Sequence, residues 1–487
     1  MIIVFLLSSI VLGVWVSGKS KTLEDFSLGG RSLPWWAILG SIVATETSTA
    51  TFLSVTGKPV FDGGDCRFLQ LALGYILGRT AVSIVLLPQY FRGKLNTAYE
   101  VLDRRFGKRT QRVASMIFLV ARNLGDGLRL YLCGIALNQA MGMSMSMSIW
   151  TVGLVTLVYT MIGGMRSVVW NDCIQFVIYI LGGFAALAIL INAVPGGLSG
   201  IWEFASQTGR TRVFVLAPNE GTPWFPWLFT ENYTIFAGLL GGMFLTFGTH
   251  GVDQMMVQRY LCAGSQREAA RALIVSGFVI LAQFALFLLI GIGLGAFAQH
   301  HAIPESVAKP DRVFSWFIAT QMPIGLCGLT LAAVFAAAMS TLSSSLNASA
   351  TAVVGDFLPV EKKTVAVTQV WTVFFGIVQI LIALAAQHVS QSVVDEALTI
   401  AGFTVGILLG IFLLGLISRT ANERAAMTAM ILSSLALLAI RLATPLAGIW
   451  YAALGTALTL AVGLLAAKFI KQTSQLNRET EIESGHG

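Results

Sequence analysis

The sequence predicts an all-α polytopic membrane protein, and composition, apolar runs and loop charge all indicate this class. Of the 487 residues, 55% are hydrophobic and 11% are charged, which leaves too few polar side chains to cover a soluble globule of this size. Apolar runs of about 18 to 28 residues recur along the chain, and each can cross about 30 Å of hydrocarbon as a helix. No long polar insert separates the runs, so we expect one integral membrane domain over residues 1–487.

The apolar runs predict about thirteen membrane-spanning helices. Their expected ranges are 2–17, 35–57, 66–91, 112–140, 148–165, 170–194, 234–257, 270–298, 324–353, 365–387, 395–418, 425–443 and 447–470. The first run has no basic start and no small-residue cleavage site, so we interpret it as a retained helix and not as a signal peptide. Residues 471–487 form a short tail.

Basic residues alternate between the two sets of loops. One set contains most of the Lys and Arg, including the cluster from Arg92 to Arg112, and the other contains few. By the positive-inside rule the N-terminus is outside and the tail is cytoplasmic. This bias also accounts for the net charge of +7 without a nucleic-acid partner. The longer outer connections, 195–233 and 299–323, contain amphipathic pieces that could lie on the surface as short helices and serve as lids, or could simply be packed loops.

The chain lacks the residues that several other classes of protein require. The five cysteines show no CxxC spacing, so neither disulfides nor structural zinc is predicted. The five histidines show no ligand spacing, and no nucleophile stands beside a base, so the chain is not predicted to be an enzyme. A sensor would usually carry a signalling domain larger than the short tail. Transport is therefore favoured over a sensor or a channel.

Two predicted spans are rich in oxygen. The stretch Gly40 to Gly57 contains Glu46 among hydroxyls; these could bond to their own helix, or an unwound helix could offer carbonyls to a cation. The stretch AAAMSTLSSSLNAS places Ala337, Ser340 and Thr341 on one helix face. Such a face suits either a hard cation or close helix packing.

Charged residues mark other predicted spans. Arg122 and Asp126 are four residues apart and should pair, leaving Arg129 as a cation for an organic anion. Arg129 could instead pair with Asp126 or reach the membrane surface, which would favour a neutral sugar or polyol.

Two further carboxylates are present. Asp172 would take up a proton if no cation lay nearby. Asp253 follows His250 near the end of its span, and Asp253 with Arg259 could form a solvated gate pair.

Five motifs together resemble the sodium/solute symporter family, which includes sodium/glucose, sodium/proline, sodium/iodide and bacterial sialic acid symporters. They are EDFSLGGRSLPWW, GGMRSVVWNDCIQ, GVDQMMVQR, MSTLSSSLNASAT and IFLLGLISR, in family order along nearly the whole chain. The resemblance implies a LeuT-type fold with two inverted five-helix repeats, 35–194 and 234–418. One leading helix, 2–17, and two accessory helices, 425–470, would complete the domain.

The resemblance also implies binding sites. A sodium ion would bind the carbonyls of Ala44, Thr47 and Ala337 and the hydroxyls of Ser340 and Thr341. Members with a second sodium site use an aspartate at the position of Asp172, together with a serine where this chain has Ala337. Glu46 takes a position that is acidic in the proline branch and is a candidate coupling residue. The substrate positions are Ser48, Thr51, Gln70, Thr249 and His250, with Arg129 or Arg122.

The expected function is sodium-coupled import of a small organic solute by alternating access. The substrate is expected to be an organic anion, such as a carboxylate or an acidic sugar, with a neutral sugar or polyol as the alternative. The expected partners are the solute, sodium ions and membrane lipid, but not nucleic acid. We expect a monomer in a bacterial inner membrane.

Overall fold

The computed structural model describes Val11 and residues 23–47, 51–92, 95–388 and 393–484, and this part of the chain is helical without strands. The helices are α1 Leu23–Leu28, α2 Trp35–Glu46, α3 Leu69–Phe91, α4 Glu100–Phe106, α5 Lys108–Met141, α6 Met145–Ala193, α7 Gly197–Gln207, α8 Trp224–Thr230, α9 Gly242–Gly251, α10 Gln254–Leu261, α11 Gln266–Ala298, α12 Val313–Gln321, α13 Ile324–Asp356, α14 Val365–Ala385, α15 Val393–Ile417, α16 Glu423–Ala443 and α17 Trp450–Ser484. The predicted first span, 2–17, lies outside the described residues apart from Val11.

Seven of the described helices are long and apolar enough to cross a membrane. They are Leu69–Phe91, Gly164–Ala193, Gln266–Ala298, Ile324–Asp356, Val365–Ala385, Glu423–Ala443 and Trp450–Phe469, and the shorter apolar helices Met145–Val158 and Phe403–Ile417 accompany them. The predicted span 112–140 lies within α5, whose internal charges lower its hydropathy. The predicted spans 35–57 and 234–257 are broken helices, so neither forms one long apolar helix.

The first broken helix surrounds Thr47. Helix α2 ends at Glu46, and Thr47 leaves the helical region with φ −77° and ψ 78°. A π-helical turn follows at Thr51–Val55. The second broken helix runs from a π turn at Ala237–Gly241 through α9 and is interrupted at Val252 and Asp253. The single span predicted over 234–257 was therefore wrong, because the chain breaks inside it and α10 continues to Leu261.

The predicted spans 148–165 and 170–194 are two helices, labelled together as α6, that meet at a kink at Gly164. Gly164 has φ 59° and ψ 178°, a backbone conformation that favours glycine. A Cβ at this position would also lie 3.0 Å from the carbonyl oxygen of Phe26. The kink thus lets α1 pack directly against the backbone of α6.

Helix α13 lies inside the bundle, where it contacts α6, α5 and α14. Its hydroxyl-bearing residues Ser340, Thr341, Ser343 and Ser344 are buried for this reason. The outer segment predicted as a surface helix does form α12, but Val313, Phe314, Phe317 and Ile318 are fully buried in the core. Helix α12 therefore packs its apolar face against the bundle, while Thr320 and Gln321 near its end are exposed.

Candidate functional site: a charged cavity between broken helices

A cavity of about 160 Å³ lies between the two broken helices and α3, α5 and α15. Its polar lining residues are Thr45, Glu46, Thr51, Tyr75, Arg122, Arg129, Thr246, Thr249, His250, Asp253 and Thr404. Both helix breaks are next to the cavity, since Glu46 ends α2 and Asp253 precedes α10. The site therefore combines main-chain groups freed from helical hydrogen bonds with charged side chains.

The oxygen-rich face of α13 meets α2 at its break. The Thr341 hydroxyl donates to the carbonyl of Thr45 at 2.9 Å, and the hydroxyl oxygens of Ser340 and Thr45 are 3.3 Å apart. The Thr47 hydroxyl accepts from Gln283 at 2.6 Å. Buried hydroxyls and a broken main chain thus lie together, and oxygen atoms are the ligands that hard cations prefer.

Asp172 on α6 lies beside this region, and the guanidinium of Arg259 lies next to its carboxylate. The Arg259 Nη2 atom is 3.1 Å from the carboxylate, and both side chains are fully buried. Ser41 and Ser340 donate to the same carboxylate at 2.5 and 2.6 Å. Arg259 also donates to Ser344 at 2.5 Å. Asp172 therefore has a cation beside it, so the condition under which it was expected to take up a proton is not met.

The gate pair expected between Asp253 and Arg259 does not form. Asp253 caps α10 by accepting from the Met255 N–H at 2.8 Å, and its other oxygen is 3.3 Å from Arg122 Nη1. Arg259 lies two turns further along α10 and is directed into the bundle, where it is fully buried. Residues six apart on a helix are rotated about 240° from one another, so the two side chains leave α10 in different directions.

The three charges on α5 form one network. Arg122 makes a bidentate pair with Asp126 at 2.7 and 2.9 Å, which confirms the predicted pairing. Arg129 also donates to Asp126, so one carboxylate serves two guanidinium groups. Among the described residues, none accepts a hydrogen bond from Arg129 Nε. Arg129 is the more exposed of the two arginines, at 21% against 12%.

Glu46 has a buried partner that sequence reasoning missed. Arg79 on α3 is fully buried and forms an ion pair with the Glu46 carboxylate, and its Nη1 donates to Ser276 at 2.6 Å. The Nε2 atom of His250 lies 3.5 Å from Glu46. The end of α2, the middle of α3 and the end of α9 are thus connected through one carboxylate.

The structure places most of the predicted substrate positions at the cavity. Thr51, Arg129, Thr249 and His250 line it, whereas Ser48 lies outside the described residues. Gln70 is fully buried and is not a lining residue. Its amide donates to the Tyr233 carbonyl at 3.0 Å and accepts from the Val215 N–H at 3.3 Å. In this arrangement Gln70 holds the outer connections in place.

Comparison with known proteins identifies the family. The sequence pattern of the Sodium:solute symporter family matches residues 26–433. The chain belongs to this family. It is 28% identical over 485 residues to the sodium/sialic acid symporter SiaT of Proteus mirabilis, covering 97% of this chain and 95% of that protein. As a family member, the chain is a sodium-coupled symporter that crosses the membrane several times.

Solved structures agree with this assignment. A substrate-bound, outward-open Na⁺-coupled sialic acid symporter superposes with a TM-score of 0.86 at 28% identity, over 96% of this chain and 97% of that structure. The nucleobase-cation symporter Mhp1 superposes with a TM-score of 0.61 at 13% identity, over 92% and 94%, which shows the shared fold alone. The predicted LeuT-type fold is therefore confirmed.

Two arginines of this symporter gave little signal in the sequence. Arg79 interrupts an otherwise apolar span, ALGYILGRTAVS, and an intramembrane charge of this kind is itself a reason to look for a buried partner. Arg259 stands where a span was expected to have ended, so it was interpreted as a loop residue. Only the break at Asp253 shows that α10 remains within the bundle.

Proposed function

We propose that this symporter imports a small organic anion, a carboxylate or an acidic sugar, together with sodium. The proposal rests on Arg129, whose guanidinium lines the cavity and whose Nε donates no hydrogen bond to any described residue. A carboxylate can take two parallel hydrogen bonds from such a group. Asp126 already holds the opposite side of the guanidinium, so the arginine is oriented before the anion binds.

The rest of the cavity suits the uncharged part of such a solute. Thr51, Thr249 and His250 offer hydroxyl and imidazole groups to hydroxyls or amides. Relatives named as sialic acid symporters match nearly the whole chain, and sialic acid is an acidic sugar. An acidic sugar therefore fits both parts of the lining.

The proposed sodium site joins α2 to α13. Its ligands are the carbonyls of Ala44, Thr47 and Ala337 and the hydroxyls of Ser340 and Thr341. The contact between Thr341 and Thr45 supports it, because it brings the two helices within reach of one ion. Sodium bridging the helices would stabilise the form with an ordered cavity. Such coupling typically amounts to about 1 to 3 kcal/mol and is the same for either ligand.

We infer that Arg259 takes the place of a second sodium ion beside Asp172. Its guanidinium already supplies one positive charge to the carboxylate and shares Ser41 with it. A second cation at this position would meet a like charge at close range. In this arrangement one sodium ion accompanies each solute.

Glu46 is the proposed coupling residue. It ends the helix whose last carbonyls belong to the proposed sodium site, and its side chain lines the cavity. Because Arg79 and His250 contact the same carboxylate, a movement of α2 on ion release would reach α3 and α9.

The cellular setting is also part of the proposal. The symporter would lie in a bacterial inner membrane as a monomer, with its N-terminus outside and its C-terminal tail in the cytoplasm. The excess of Lys and Arg in alternate loops supports this orientation. The two inverted repeats, 35–194 and 234–418, each begin with a broken helix.

The test is thermal unfolding of the purified chain in sodium or potassium buffer with carboxylates, acidic sugars and neutral sugars, followed by uptake into proteoliposomes. We expect sodium-dependent stabilisation by an anion, which Arg129→Ala should abolish and Arg129→Lys should partly retain. Arg441→Ala, which removes an exposed arginine elsewhere, should change nothing. Sodium-driven uptake of a neutral sugar that survives Arg129→Ala would overturn the anion proposal.

A further inference from the structure

A second, apolar cavity opens on the side of the bundle, away from the transport site. Its volume is about 500 Å³, and α5, the end of α13 and α14 form its walls. The lining includes Met116, Val120, Phe357, Trp371 and Phe374. Met116, Val120 and Phe374 are about half exposed, at 50%, 55% and 52%. We call this feature the lateral groove.

The lateral groove has the length of one lipid leaflet. On α14 it extends from Trp371 to Ile382, which at 1.5 Å per residue is about 16 Å. The hydrocarbon core of a bilayer is about 30 Å thick, so one leaflet accounts for about half of that. Tryptophans favour the level of the lipid head groups, and Trp371 lies at the end of the lining range nearest the start of α14.

Basic side chains surround this same end of the groove. Arg112 lies one helical turn before Met116 and donates to the carbonyl of Asp356 at 3.4 Å. Lys363 donates to the carbonyl of Gly355 at 2.7 Å. The two cations therefore meet at the end of α13, beside Phe357 in the groove wall. The side chains of Arg112 and Lys363 each have further N–H groups besides the one that donates to a carbonyl.

The nearby acidic groups are Asp356, Glu361 and Glu100, the last of which interacts with Lys363, and the basic residues at this end outnumber them. The Asp356 carboxylate is buried and accepts from Thr97 and Gln111, both at 2.8 Å. Glu361 is exposed in the connecting turn, but Lys362 follows it directly. Lys108 and Arg109 begin α5 on the same side. The mouth of the groove thus has an excess of positive charge.

We propose that the lateral groove binds an anionic phospholipid. One acyl chain lies between α5 and α14, and the phosphate accepts hydrogen bonds from Arg112 and Lys363. Basic pockets between membrane helices suit anionic head groups, whereas a zwitterionic lipid gains less from them. The bound lipid would fill the space between α5 and α14 and brace the end of α13.

Native mass spectrometry of the full chain in detergent tests this proposal. Palmitoyl-oleoyl phosphatidylglycerol and palmitoyl-oleoyl phosphatidylcholine are added at equal concentration, and the retained lipid is counted. We expect preferential retention of phosphatidylglycerol. Arg112→Gln/Lys363→Gln keeps N–H donors for the α13 carbonyls but removes the charge, and should lower phosphatidylglycerol retention about tenfold while changing phosphatidylcholine less than twofold.

Two controls complete the test. Arg419→Gln/Arg424→Gln removes two exposed arginines away from the groove and should leave retention unchanged. Met116→Trp fills the groove at a half-exposed position and should reduce retention of both lipids. Equal retention of the two lipids by the parent chain, or equal loss in the arginine control, would overturn the proposal. A dimer that Met116→Trp abolishes would assign the groove to a second copy of the chain instead.

Discussion

The guanidinium of Arg259 lies 3.1 Å from the Asp172 carboxylate in the interior of the bundle, and neither side chain is exposed. Burying two charges is unfavourable unless their remaining polar atoms are bonded. Here Ser41, Ser340 and Ser344 donate to or accept from the pair. The pair joins α6 to α10, and through Ser340 it reaches the proposed sodium site.

Replacing Arg259 by glutamine should expose the role of this pair. We expect the free energy of unfolding to fall by about 3 to 5 kcal/mol, because Asp172 is left buried without its counter-charge. Sodium should then raise the unfolding temperature of Arg259→Gln more than that of the parent, since the ion can take the vacated position beside Asp172. Thermal unfolding over a sodium titration measures both effects.

The double variant Asp172→Asn/Arg259→Gln is the control for charge. It removes both members of the pair, so most of the lost stability should return and the additional sodium effect should vanish. A double variant as unstable as Arg259→Gln would show that hydrogen bonding and packing, and not charge, determine the loss.

Removing the Ser340 and Thr341 hydroxyls should weaken sodium activation of transport. Ser340→Ala/Thr341→Ala deletes two proposed ligands, and hydrogen bonds to charged groups contribute about 1.5 to 3 kcal/mol each, so the sodium concentration for half-maximal uptake should rise at least about tenfold. Thr368→Ala/Thr372→Ala is the matched control, because those hydroxyls bond only to carbonyls of their own helix in the described contacts. Unchanged sodium activation in the first variant would refute the site.

Neutralising Glu46 should destabilise the protein through Arg79. In Glu46→Gln the fully buried guanidinium loses its carboxylate, and we expect a loss of about 3 to 5 kcal/mol in the free energy of unfolding. Uptake should fall as well, since the link between α2 and α9 is broken. The measurements are thermal unfolding and sodium-driven uptake in proteoliposomes.

An exposed ion pair provides the comparison for Glu46. Glu24→Gln breaks the pair of Glu24 with Arg31, whose side chains are 46% and 23% exposed, and should cost less than about 1 kcal/mol. If Glu46→Gln lowers the free energy of unfolding equally little, then another group compensates the charge of Arg79, and the proposed linkage through Glu46 fails.

Asp253 has two roles that substitution can separate. Asp253→Asn keeps a side-chain oxygen to cap α10 but removes the charge facing Arg122. Because Arg122 still pairs with Asp126, the free energy of unfolding should fall by only about 1 kcal/mol. Asp253→Ala removes the cap too and should cost about 1 kcal/mol more. Thermal unfolding of the two variants gives the difference, and equal losses would mean that the cap contributes nothing.

Some parts of the site were predictable from the sequence and others were not. Arg122 and Asp126 were predictable because residues four apart on a helix must be neighbours. Ser340 and Thr341 were predictable as one face of a helix for the same reason. Gln70 was misplaced, since its contacts with Val215 and Tyr233 depend on how the outer connections fold back over α3.

The sequence by itself determined that this protein is a helical membrane protein, because its apolar runs match the thickness of a bilayer. Its motifs determined the family, and its helical spacing determined which hydroxyls and charges share a face. Only the tertiary structure decided which charges pair across helices. Asp172 with Arg259, and Glu46 with Arg79, are 87 and 33 residues apart in the chain. Their contact depends on how separate helices pack against one another, and helical spacing does not extend from one helix to another.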